Sequence, residues 1–73
     1  MDFTERFFQV VITLNDGEVY ELETSISQWW LDRPRKRSLK EEIIVCATIE
    51  NEFDIPVNPE DCEVFEVAKI KID

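Results

Sequence analysis

The stretch "SQWWLDRPRKR", residues 27–37, gathers the side chains best suited to recognition chemistry: Trp29 and Trp30, then Arg33, Arg35, Lys36 and Arg37. Tryptophan and arginine are the residue types enriched at interface hot spots. The four cations could meet an acidic protein patch or phosphates, or they could form a solvated loop whose replacement leaves stability unchanged. "RPRKR" also has the form of a nuclear-localisation run, a pattern that short basic segments match often. Adjacent residues on a helix point about 100° apart, so one surface does not bury both tryptophans. The expectation is that one of them enters the core near Ile44 or Val45 and that the other stays partly exposed beside the cations.

The rest of the inventory argues against catalysis. The chain has no histidine, so it holds no Ser-His or Cys-His pair. A single glycine excludes a Gly-rich phosphate loop. Two cysteines without histidine do not make an ordinary structural zinc site. Acids cluster at Glu50, Glu52 and Asp54, and again at Glu60, Asp61 and Glu63, without the spacing of a calcium loop. No enzyme activity, metal or cofactor is expected.

Charge suggests a second surface. The net charge is −9, yet residues 33–40 contain five bases and no acid, while the remaining residues set three bases against seventeen acids, a charge of −14. Acidity of this size disfavours direct nucleic-acid binding and anionic membranes. It suits a solvated coat on a small soluble domain, a basic partner, or imitation of a polyanion by an acidic surface that includes Glu21, Glu23, Glu60, Asp61, Glu63 and Glu66. Cys46, inside an apolar run, and Cys62 read as reduced thiols and the compartment as cytoplasmic. The N-terminal residues lack the pattern of a signal peptide, and the longest apolar run, five residues, is far below the ~20 that span a bilayer.

Seventy-three residues fit one domain, residues 1–73, with a net stability of roughly 3–5 kcal/mol. In residues 6–14, Phe8, Val10, Ile12 and Leu14 alternate with Phe7, Gln9, Val11 and Thr13, a strand pattern. A second strand covers residues 18–24. A three-residue loop, Asn15-Asp16-Gly17, pairs Leu14 with Glu18, Ile12 with Tyr20 and Val10 with Leu22, which keeps one face apolar; a two-residue loop would set glutamates on it. Gly17 then takes positive φ. Ser25 and Gln28 form a capping box for a short turn with Ile26, Trp29 and Trp30 on one side, stopped near Asp32 by Pro34. Ser38 and Glu41 cap the main helix. Leu39, Ile43, Cys46, Ala47 and Phe53 line its face with Ile49 beside them, Ile44 and Val45 fall outside, and Asp54-Ile55-Pro56 ends it. Asn58 caps a turn begun by Pro59. The last strand, "EVFEVAKIKI", changes parity between Val67 and Ala68, which points to a bulge near Val67 or else to a strand partly covered on both faces; the bulge is the favoured reading.

"TLNDGEVYELE" resembles the hairpin of ubiquitin-like, β-grasp proteins, and "IENEFDIPVNPEDCEVFEV" is similar to their helix end, Ile-Pro exit, Pro-Asp turn and following strand. The similarity covers residues 10–23 and 39–68. Residues 24–37 look longer than the family's link, Ile72-Asp73 offers no diglycine, and there is no room for the last two strands. The resemblance implies an interaction module without activity. The expected fold is α+β: a β-hairpin, short helical turn, main helix and C-terminal strand, a reduced β-grasp-like ββαβ chain with antiparallel sheet order 2-1-3. Three functional expectations follow. The first is a small protein-binding module, of the type of phage or mobile-element inhibitors that regulate a larger protein complex. The second is a polyanion mimic, and the third is nucleic-acid binding through residues 33–40.

Overall fold

The computed structural model describes residues 3–68. Strand β1 (Glu5–Thr13) is followed by β2 (Val19–Ser27), the short helix α1 (Gln28–Leu31), the main helix α2 (Leu39–Glu50), a 3₁₀ turn (Pro59–Asp61) and β3 (Cys62–Val67). The sheet is antiparallel in the order β2-β1-β3. This is the expected small ββαβ α+β fold.

The hairpin has the register that face matching requires. Ile12 pairs with Tyr20 and Val10 with Leu22. The Leu14 amide donates to the Glu18 carbonyl at 2.8 Å, the Gly17 amide to the Leu14 carbonyl at 2.9 Å, and Gly17 has φ +89°. Asp16 Oδ1 accepts from the Glu18 amide at 3.0 Å, which ties the turn down.

β2 runs three residues further than expected. Thr24 and Ile26 are β-branched and continue the buried face, pairing with Phe8 and Arg6. Ser25 therefore lies inside the strand and caps nothing. Ser27 is the cap, its Oγ accepting from the Trp30 amide at 3.3 Å.

α2 starts at the expected cap, Ser38, whose Oγ accepts from the Glu41 amide at 3.2 Å. It ends earlier than expected. The Asn51 side-chain amide donates to the carbonyls of Ala47 and Glu23, both at 2.8 Å, and Glu52 turns left-handed at φ +54°. Phe53 lies beyond the helix, with its ring edge-to-face on Tyr20 at 5.3 Å. The buried stripe is Ile43, Ile44 and Ala47, so Ile44 belongs to the core, whereas Leu39 and Ile49 are exposed. Five consecutive apolar residues pass all the way round a helix, so periodicity alone does not single out its buried side.

That stripe packs on Phe8, Val10, Ile12, Leu22, Thr24, Ile26 and Cys62, and Leu31 of α1 joins the same core. The buried Thr24 hydroxyl donates to the Glu50 carboxylate. Asn58 caps the 3₁₀ turn as expected, accepting from the Glu60 amide at 3.1 Å. β3 then pairs with β1 without interruption from Ile12–Cys62 to Phe7–Val67. There is no bulge up to Val67. Phe65 and Val67 share a parity because they face away from α2. The rest of that expected strand, residues 69–72, lies outside the described residues. Both cysteines are free thiols, Cys62 buried and Cys46 half-buried. No described helix is long and apolar enough to cross a membrane.

Candidate functional site

α1 has one core-facing side, and Leu31 occupies it. At 3.6 residues per turn, Trp30 and Trp29 lie about 100° and 200° round the axis from Leu31. Neither tryptophan is in the core: Trp29 is half-buried and Trp30 is 39% exposed. This corrects the expectation that one of them enters the core near Ile44 or Val45.

The two rings instead form a surface cluster, with centroids 6.4 Å apart and Phe3 at 6.5 Å from Trp29. The Arg33 guanidinium lies 5.2 Å from the Trp29 centroid and 4.7 Å from that of Trp30. Such contact attracts the cation to the ring quadrupoles. Trp30 Nε1 donates to Glu42 Oε1 at 2.9 Å, and Glu42 Oε2 faces Arg37 Nε at 3.5 Å. Trp30 also lines a groove of about 480 Å³ between β2 and α2, together with Ile26, Cys46 and Ile49.

The basic residues divide by role. Arg35 Nη2 donates to the Trp30 carbonyl at 2.8 Å and to the Leu31 carbonyl at 2.5 Å, satisfying the last carbonyls of α1. Arg37 is tied to Glu42. Lys36 and Arg33 are exposed, and the Arg33 guanidinium has no hydrogen-bond acceptor among the described residues. The segment is thus a held structure with one cation presented outward beside two rings. Sequence reasoning missed Glu42, Leu31 and Phe3. Glu42 lies twelve residues from Trp30, a separation at which no local pattern links them.

The proposed acidic surface is brought together in part. Glu21 and Glu63 flank Val11 on the sheet face turned away from α2, and Glu23 shares that face. Glu60 and Asp61 border it, lining a recess with Val11, Thr13, Val19 and Glu63. Glu66 points to the opposite face. There its carboxylate takes two hydrogen bonds from Arg6, both 2.7 Å, while Arg6 Nη1 reaches Gln28 Oε1 at 3.1 Å. The Arg6 hydrogen bond holds the Glu66 carboxyl below its usual range, and Glu66 in turn raises Arg6. A hydrogen bond to Glu18 raises the Tyr20 hydroxyl. Burial pushes both thiols up; nearby Glu42 and Glu50 add to the effect at Cys46, and Lys40 opposes it at Cys62. Among the described residues no group of three or more Cys, Asp or Glu side chains is placed to hold a metal ion.

Comparison with protein-family models, curated proteins and solved structures finds no match to this chain.

Proposed function

We propose that the chain is a small, cytoplasmic, non-catalytic protein-binding module that presents Arg33, beside Trp29 and Trp30, to an acidic segment of a larger protein or complex. Regulation or inhibition of that complex is the role such a module would serve. The carrying observation is the exposed Arg33 guanidinium beside two partly exposed rings, without a hydrogen-bond acceptor among the described residues. A bidentate carboxylate contact at such a fork gives energy and orientation together. The neighbouring groove beside Trp30 adds room for an apolar side chain of the same partner.

The test is affinity capture from a lysate with three baits: wild type, Arg33→Ala and Lys36→Ala. A protein retained by wild type and Lys36→Ala but lost with Arg33→Ala supports the reading. Equal recovery on all three baits refutes it. A labelled oligonucleotide shifted by the protein alone, with steep salt dependence, would favour the nucleic-acid reading instead.

A second reading, polyanion mimicry, draws support from Glu21, Glu23 and Glu63 on one sheet face with Glu60 and Asp61 at its border. It predicts that the captured partner binds DNA and that DNA competes with this chain for it.

A further inference from the structure

Apart from the tryptophan cluster, the sheet face turned away from α2 has an unusual make-up. An antiparallel sheet covered on one side ordinarily turns polar residues to the other. Here Phe7, Val11, Val19, Phe65 and Val67 lie there, with Phe65 48% and Val19 57% exposed. The register sets Phe7 beside Val67, Gln9 between Glu23 and Phe65, and Val11 between Glu21 and Glu63. An apolar stripe thus crosses the face with carboxylates on both flanks. Glu5 and its partner Ser27 continue the same face, and no described residue on it is basic.

We infer that this outer sheet face is a docking surface for a basic amphipathic helix of a partner protein, whose apolar side covers Phe7, Val11, Phe65 and Val67 while flanking Lys or Arg meet Glu21, Glu23 and Glu63. None of its residues belongs to the Arg33 cluster, and either reading stands without the other. The occupant follows from shape and charge. A single amphipathic helix is the smallest element that covers a sheet face, since a covering sheet needs several strands, whereas an extended peptide pairs along an edge. The six-residue β1–β3 ladder at about 3.4 Å per residue gives a face about 20 Å long, room for a helix of about 13 residues. A second copy of this chain would set Glu21, Glu23 and Glu63 against the same acids, at a net charge of −9 per copy. Nucleic acid meets the same repulsion.

The test uses a fluorescein-labelled 18-residue Leu/Lys peptide with leucines along one helical face. The controls are a scrambled peptide of the same composition and a Leu/Glu counterpart. Fluorescence anisotropy at physiological salt reads the affinities of wild type, Phe65→Ser, the pair Glu21→Lys with Glu63→Lys, and Arg33→Ala, each first checked for folding by circular dichroism. Phe65 is half-exposed and both glutamates are exposed, so the charge pair keeps the proposal falsifiable if Phe65→Ser fails to fold. The expected result is saturable one-to-one binding of the amphipathic peptide, at least tenfold tighter than the scrambled one. Phe65→Ser and the charge-reversed pair should each weaken it at least tenfold, and Arg33→Ala should leave it unchanged. Equal binding of the amphipathic and scrambled peptides would show attraction by charge alone and overturn the proposal. Wild-type affinity in the outer-face variants, comparable binding of the Leu/Glu peptide, or no binding of the Leu/Lys peptide would overturn it as well.

Discussion

Arg35→Ala separates the cation that builds the site from the one that serves it. Arg35 Nη2 donates to the carbonyls of Trp30 and Leu31 at 2.8 and 2.5 Å, the last carbonyls of a four-residue helix. A hydrogen bond from a charged donor contributes about 1.5–3 kcal/mol. One nitrogen serves both acceptors and the side chain is half-exposed, so the net loss expected is about 1–2 kcal/mol once solvent screening is counted. That is a large part of the ~3–5 kcal/mol open to a core of this size. With a urea dependence of about 1 kcal/mol per molar, the midpoint should fall by about 1–2 M. Lys36→Ala should stay within about 0.5 kcal/mol of wild type, because its side chain is exposed and makes no such contact. Arg35→Lys should recover only part of the loss, since an ammonium lacks the planar fork. Urea titrations followed by tryptophan fluorescence read all three variants. If Arg35→Ala and Lys36→Ala unfold at the same urea concentration, Arg35 does not hold α1 and the cations act as one solvated loop.

Gly17→Ala should cost about 1 kcal/mol, because φ is +89° while no heavy atom lies within 4 Å of an added Cβ, so the cost is one of backbone conformation alone. Gly17→Val should cost more, and D-alanine at the same position should stabilise by about 0.4–1 kcal/mol in the same urea assay; a neutral Gly17→Ala would contradict the turn. Arg6 holds the folded-state Glu66 carboxyl below its unfolded value, so the stabilisation from this pair is complete at neutral pH. It should be lost as pH falls through the ordinary glutamate range, about 4.3, and on through the lower folded value. Arg6→Gln should move the Glu66 titration up, read by carboxyl NMR; an unmoved midpoint would contradict the pairing. Burial raises both thiols, so iodoacetamide at pH 8 should modify Cys46 slowly and the buried Cys62 only through unfolding, and faster labelling of Cys62 by mass spectrometry would contradict its placement.

The hairpin, the Ser38 cap, the Asn58-Pro59 turn and the strand order were all legible in the sequence, because each rests on local chemistry or on matching one apolar face. The buried side of α2 was not, since Ile43 to Ala47 is apolar all round the helix. The buried side of β3 is hidden for a related reason. Phe65 and Val67 are apolar on a face that α2 does not cover, so hydrophobic parity alone does not tell its sides apart, and charge alone does not show that Glu66 lies on the face opposite to Glu21, Glu23 and Glu63. Among the site residues, types and clustering marked Trp29, Trp30 and Arg33. Which residue enters the core was decided by Ser27 capping α1, two positions later than the expected Ser25. That shift gave Leu31 the inward position and left both rings on the surface. The partner of Trp30 and Arg37, Glu42, is joined to them only by the fold.

Calorimetric titration of the purified captured partner with wild type, Arg33→Ala and Arg33→Lys tests the proposed function most directly. A hot-spot arginine contributes about 2 kcal/mol or more, so Arg33→Ala should weaken Kd at least about 30-fold. Arg33→Lys should weaken it nearly as much, because the charge remains but the planar bidentate fork is lost. All three proteins should unfold at similar urea concentrations, since the Arg33 guanidinium holds no hydrogen-bonded contact within the described fold. Affinities of both variants within twofold of wild type would contradict the assignment of Arg33 and its flanking tryptophans as the partner surface.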